Sequence, residues 1–541
     1  MASLIPFLFL IIPFFTLITT SVNALPPAGA PTSSPSASSP AASAAPPEIQ
    51  KICNITKFPE VCKSFLGKSP AAPLDFVKNA ITVSVTNTLS AQEMVTKALT
   101  GAGKNLNLSQ YSSNCLEELS NSMFRLQSSI TALPSKSKDA RAWMSAALVY
   151  QNDCLSNFKK VNDTVEIHSL LSLLDLLTRM TSNALSLVRA LDLFGSDVGK
   201  WAAPKTERDG FFEPIKSKEM EFPTRFPANL KIDATVSKDG KGYKTVGEGV
   251  DAAPSNLTGK KFVINVKEGI YDEIVRIPLE KKNIVLIGDG IGKTIITGKK
   301  TVGPVGVFTY DTATFAVMGD GFMAKDITFK NEAGIPSKQA VAFRSDSDKS
   351  YVENCEFFGH QDTLYIHGLR QFYKSCKIEG NVDFIFGNGA AYFKDCEIFI
   401  NPRLETPEKG ESNAVTAQGR TDSGQSTGYV FDNCSITGTP EYMKLIKSNP
   451  KVHKNYLGRP WKEFAKTVYI HSFMDSLINP GGWLEWEGNQ SLSTLYYGEF
   501  ENRGPGSDLK GRVPWSSKIL PQHVLTFSVQ NFMQGDEWLP K

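Results

Sequence analysis

A chain of 541 residues is too long for a single hydrophobic core, so two or more domains are expected. Its 41% hydrophobic and 21% charged content is ordinary for a soluble globular protein. The formal net charge of +3, without any Lys/Arg-rich run, argues against nucleic acid as a partner and is compatible with an acidic polymer.

The chain opens with MASLIPFLFLIIPFFTLITTSVNA, an apolar stretch interrupted by Pro6 and Pro13 and closed by the small-residue site Val22-Asn23-Ala24. Residues 1–24 therefore read as a secretory signal peptide, although no Lys or Arg precedes the apolar run. An uncleaved membrane anchor is the competing reading, and the two prolines and the cleavage site weigh against it. No later segment is long and apolar enough to span a bilayer, so no membrane association is expected after cleavage. Secretion would expose the eight cysteines to oxidation and make glycan sites of the sequons at Asn54, Asn107, Asn162, Asn256, Asn433 and Asn489. Asn433 lies beside a cysteine inside a repeat and is expected to be occupied least.

Residues 25–48 are almost entirely Pro, Ala, Ser, Gly and Thr, too poor in apolar area to offset ordering entropy, and read as a flexible spacer. From 49 to 195 the period is helical. Leu170, Leu174, Leu177, Met180, Ala184, Leu187 and Leu191 recur at steps of three and four, with Gly195 as a stop, which predicts an up-and-down helical bundle. Its four cysteines can pair in three ways, and spacing alone does not choose. The region resembles the plant invertase/pectin methylesterase inhibitor family in CNITKFPEVC, SSNCLEEL and WMSAALVYQNDC. That resemblance implies a disulfide-bonded four-helix bundle with bridges Cys53–Cys62 and Cys115–Cys154.

Residues 196–230 turn to charge, proline and glycine, as a linker does. From 231 to 541 the chain shows short β-rich phrases, five of which place Asp, Asn or Ser before Ile or Cys. Cys355, Cys376 and Cys396 lie 21 and 20 residues apart, a solenoid period, and repeats without helices predict an all-β parallel β-helix. Asp362 and Asp383 share the offset of 21, which stacks them on successive coils at about 4.8 Å. Gln339 and Gln361, 22 residues apart, extend the strip. Two aspartates so close repel when both are ionised, so one carboxyl is expected to be raised while the other stays charged, the arrangement of a nucleophile with a general acid. The glutamine amides are candidate oxyanion donors.

The blocks GIYDE, QAVAF, GHQDTLY, VDFIFG, TAQGR, LGRPW and GWLEW, in that order, resemble the signatures of plant pectin methylesterases across nearly all of residues 231–541. The fold this implies is a right-handed parallel β-helix. The activity it implies is hydrolysis of galacturonate methyl esters in pectin (homogalacturonan) to methanol and pectate. Asp383 would then be the nucleophile, Asp362 the general acid and base, Gln339 and Gln361 the oxyanion donors, Arg459 the partner that orients Asp383, and Trp461 a wall of the sugar cleft. No metal or cofactor is implied, and the six histidines form no ligand motif. A secreted, monomeric cell-wall enzyme is expected, whose helical part covers the cleft as an autoinhibitory pro-region. Inhibitor-family proteins acting in trans are a further implied partner.

His360 replaces a usual aromatic and Phe343 a frequent Leu. The linker reads EFPTRFPANL, without the dibasic processing site of many relatives. GQSTG, Gly424 to Gly428, matches Gly-x-Ser-x-Gly but precedes a strand, so Ser426 reads as a loop residue. The alternative reading of the whole is a catalytically inactive wall-binding or inhibitory protein.

Overall fold

The computed structural model describes residues 46–66, 72–161 and 164–541; the expected signal peptide, nearly all of the spacer and the sequon at Asn162 lie outside them. The described part begins with two short helices, α1 (Pro47–Cys53) and α2 (Pro59–Leu66). Four long ones follow: α3 (Pro73–Gly101), α4 (Leu106–Ala132), α5 (Ser137–Phe158) and α6 (Val165–Phe194). Asn105 and Thr164 cap α4 and α6 by accepting from the backbone N–H of Leu108 and Ile167. All seven periodic residues of α6 are buried, and Gly195 ends the helix at φ +59° with its N–H on the Leu191 carbonyl. Cys53–Cys62 ties α1 to α2, and Cys115–Cys154 ties α4 to α5. No described helix is long and apolar enough to cross a membrane.

From Ala234 the chain winds into three parallel sheets of 11, 7 and 8 strands, in which each strand between the two edges pairs with a strand on either side, from neighbouring coils. This is a parallel β-helix, and its core is a set of stacked rings: Phe315 on Phe343 at 5.4 Å, Tyr373 on Phe393 at 5.0 Å, Phe393 on Phe431 and Phe431 on Tyr469 at 4.5 Å. The recurring phrase before each cysteine has a backbone cause. Asn354, Ser375, Asp395 and Asn433 occupy left-handed conformations with φ between 49° and 54°, turning the chain between two sheets. The cysteine that follows then points into the core. Cys355, Cys376, Cys396 and Cys434 are all buried and free, so half of the eight cysteines stay reduced. The Asn433 side chain donates to Asp395 and accepts from Arg503.

Residues 196–230 are not a loose tether. Phe226 is buried on Tyr351 at 5.9 Å, and Phe212, Met220 and Phe222 pack on the outer face of the 11-stranded sheet. Glu213 reaches back to Arg141 of α5, while Glu207 is buried against Lys466 and Arg420. The segment is thus a strap along the solenoid.

Helices α4 and α5 dock on turns that flank strands of the seven-stranded sheet. The buried Arg125 guanidinium forks onto Asp320 with two bonds of 2.7 Å, Tyr111 stacks on Phe308 at 3.8 Å, and the Trp143 indole donates to Asp348. The GQSTG loop belongs to this contact: Gly424 accepts from Arg141, Gln425 donates to the Ser145 carbonyl, and Ser426 N–H donates to the Ser145 hydroxyl. Gly424 to Thr427 form turn and loop before the Gly428–Asp432 strand, with no helix behind Ser426.

Candidate active site

The seven-stranded sheet carries the site. Its strand Leu364–Ile366 pairs with Val382–Gly387 through Leu364 opposite Ile385 and Tyr365 opposite Phe386, an offset of 21 that carries Asp362 onto Asp383. The Asp362 N–H donates to the Val382 carbonyl at 3.3 Å, which fixes the two coils at this level. Both aspartates sit at positive φ, 63° and 54°. At Asp383 the pairing with the next coil also slips between Val382 and Ile385. A bulge and left-handed backbone re-aim a side chain out of the strand alternation, and such strain gathers at functional sites.

Asp383 and Asp362 are only 4% and 7% exposed, so neither carboxyl is freely hydrated. The Arg459 guanidinium, from the strand His453–Pro460, closes a fork on Asp383 with Nε on Oδ1 at 2.7 Å and Nη2 on Oδ2 at 2.5 Å. Burial pushes the Asp383 carboxyl up and that fork pulls it only part of the way back, so it stays above its ordinary value. Asp362 has no such partner: burial, and then the Asp383 charge, drive it well above the usual carboxylate range, with only a weaker pull from Arg459. Both carboxyls are therefore raised, Asp362 the further, and the fork gives Asp383 the stronger counter-charge, an order that favours ionising Asp383 before Asp362.

The glutamines flank the pair on adjacent coils. The Ala340 N–H donates to the Gln361 carbonyl at 3.2 Å, and the Gln339 carbonyl is held by Val302 and Thr301. Both glutamine residues are half-buried. Trp461 forms an outward-facing aromatic wall with Phe386, at 6.0 Å edge to face, and Tyr365, itself stacked on Phe386 at 4.2 Å. Leu364 and Phe384 belong to the core instead. Asp362, Asp383 and Arg459 thus meet directly, Trp461 stands in the adjoining aromatic wall, and Gln339 and Gln361 lie at equivalent levels of neighbouring coils.

Two residues beside the site went without a role in the sequence. Trp486, quoted within GWLEW but given no role, lies under the Arg459 guanidinium at 4.0 Å and shares an open cavity of about 410 Å³ with Trp461. His367 is buried, with Nδ1 2.6 Å from Asp346 and Nε2 2.8 Å from Asp153 of α5. The only sequence signal was its place at the end of the Asp362 strand.

The comparisons agree on one family. The pectinesterase profile matches residues 233–536, and the plant invertase/pectin methylesterase inhibitor profile matches 47–187. A probable pectinesterase/pectinesterase inhibitor 64 of Arabidopsis thaliana is 51% identical over 91% of this chain and 84% of its own. Pectinesterase 2 of Citrus sinensis is 39% identical over 92% and 93%. A solved pectin methylesterase from carrot, 43% identical, superposes with a TM-score of 0.55 over 58% of this chain and 97% of the carrot chain. With a helical inhibitor-like domain ahead of a β-helix that carries this aspartate pair, the chain belongs to the pectinesterase family.

Proposed function

We propose that the chain hydrolyses galacturonate methyl esters in pectin through Asp383 and Asp362. The observation that carries this reading is the Arg459 fork on a buried Asp383 beside Asp362, whose carboxyl is raised by burial and by the Asp383 charge. The Asp383 carboxylate attacks the ester carbonyl carbon, and the resulting oxyanion is received by the Gln339 and Gln361 amides, donors of a kind worth about 10²–10³ in rate. Collapse breaks the C–OCH₃ bond as Asp362 gives its proton to the leaving methanol, which leaves an acyl-Asp383 anhydride. Asp362, now a carboxylate, takes a proton from water as that water attacks the anhydride carbonyl. Free galacturonate departs, Asp383 is again ionised and Asp362 again protonated. Trp461, with Tyr365, Phe386 and Trp486, offers ring faces for the sugars.

The helical domain is read as an autoinhibitory pro-region. Supporting this, Asn152, Asp153 and Ser156 of α5 share a cavity of about 50 Å³ with Tyr365, His367 and Trp461, so the helix stands against the aromatic wall. Secretion to the cell wall, a monomeric state and control by inhibitor-family proteins in trans complete the proposal.

The test is methanol release from highly methylated pectin by the full chain and by a chain starting at Ser196, which keeps the strap over the 11-stranded sheet. The shorter chain should be the more active. Asp383→Asn should lower its rate by roughly 10⁴-fold or more, while Ser426→Ala should leave it within about twofold. Full activity in Asp383→Asn would sink the assignment, and equal specific activity of the two chains would sink autoinhibition.

A further inference from the structure

Away from the catalytic face, a cavity of about 480 Å³ opens between the helical domain and the solenoid. Its rim carries Lys261, Lys282 and Lys349, and its walls include Trp143 of α5, the buried Tyr351 and the half-buried Trp538 near the chain end. Tyr351 lies on the 11-stranded sheet, whereas the catalytic strands lie in the seven-stranded one, so the two sites are on different faces.

The charges here do not balance. The carboxylates in the lining are already engaged, Asp320 by Arg125 and Asp348 by Arg370 and the Trp143 indole. Lys349 pairs with Asp139. Lys261 and Lys282 are in no salt bridge among the described residues: the Lys261 ammonium touches the Met323 sulfur at 2.7 Å, and the Lys282 ammonium stands over the Phe124 ring at 4.7 Å. Partial burial lowers the Lys261 ammonium below the usual lysine range, with no carboxylate offsetting it. Two unpaired cations facing a cavity with aromatic walls are matched by an anion that also has ring faces. The volume far exceeds that of a phosphate and suits a few sugar rings.

We propose that this cavity is a second binding site, for an acidic saccharide: a short run of free galacturonate units, with carboxylates on Lys261 and Lys282 and ring faces on Trp143 and Trp538. The choice of saccharide rests on the esterase reading, since that reaction generates free galacturonate. Because one wall comes from the helical domain and the others from the solenoid, occupancy bridges the two.

The experiment is calorimetric titration of the full chain with fully de-esterified trigalacturonate, in a Trp461→Ala background that weakens binding in the catalytic cleft. Binding should persist in that background, fall at least tenfold in Lys261→Gln/Lys282→Gln, and be absent with the trisaccharide whose carboxyls are converted to primary amides, an uncharged analogue that is not a methyl ester. Three results would overturn the proposal: no binding at millimolar trigalacturonate, affinity unchanged in the double lysine variant, or equal affinity for a tri-glutamate peptide, which would mean a plain polyanion patch. Methanol release by Lys261→Gln/Lys282→Gln with Trp461 intact, measured alongside, should equal that of the unmodified chain. Its absence in every chain would count against the esterase reading and leave the binding result standing.

Discussion

In the proposed mechanism Arg459 decides which aspartate attacks. Without the fork, Asp383 would be a second carboxyl in the same desolvated site as Asp362, and the two would compete for one proton. The acid limb of the pH–rate profile should report ionisation of Asp383, and the alkaline limb should report loss of the proton that Asp362 delivers. In Arg459→Gln the downward pull on Asp383 disappears, so its carboxyl rises further and the acid limb moves to higher pH, with a lower kcat. An acid limb that stays in place would show that another group governs it. Much of this site was legible in the sequence because the solenoid repeats: an offset of 21 residues becomes one coil, and two aspartates at that offset become neighbours. Arg459 was not legible that way. It lies 76 residues from Asp383, and only the resemblance in LGRPW pointed to it.

At the scale of elements, the repeats were readable because each coil needs the same backbone solution at the same corner. A residue with φ near +50° must recur there, and Asn, Asp and Ser recur. Ser375 is the informative member, being exposed and short, so its replacement acts mainly through the backbone. Ser375→Val should lower stability by about 1–2 kcal/mol and Ser375→Gly should not, measured as the urea midpoint of the catalytic part. Equal midpoints would mean that the corner relaxes without cost. The strap at 196–230 was unreadable for the complementary reason. Its contacts are single events, with Phe226 on Tyr351 and Glu213 on Arg141, and composition registers only that the segment is charged and rich in Pro and Gly. The helical bundle stands between these cases: the α6 period and its Gly195 stop were plain, but which face meets the solenoid was not.

At the scale of the molecule, the contact between the domains holds a titratable knot. His367, from the solenoid, is clamped by Asp346 on one ring nitrogen and by Asp153 of α5 on the other, and the two carboxylates raise it to about 10 although burial alone would lower it. Beside it the buried Glu118 carboxyl of α4 is driven well above its ordinary value, first by burial and then by Asp153. Arg344 and Glu117 also face the knot, and the Tyr150 phenol is pushed up and stays neutral. Asp348, held well below the usual range by Arg370, stays ionised throughout the working range and adds a constant. The sign follows. A histidine raised in the folded contact contributes fully below its free value of 6.5, and its contribution is lost as pH climbs towards 10. Raised Glu118 acts in the same direction, because ionising it puts an unpaired charge beside Asp153. The catalytic domain alone keeps Asp346 on His367, so the part that belongs to the domain contact is the bond to Asp153. After proteolytic clipping of the strap, the two parts should co-elute on gel filtration at pH 5.5 and separate increasingly at pH 7.5 and 9. Asp153→Asn should flatten that dependence. Retention that rose with pH, or a dependence untouched by Asp153→Asn, would mean that the Arg125–Asp320 fork and the aromatic contacts hold the domains together without this knot. Since Asp153 also borders the cavity beside Tyr365 and Trp461, the same rise in pH should uncover the aromatic wall of the cleft as the helices leave.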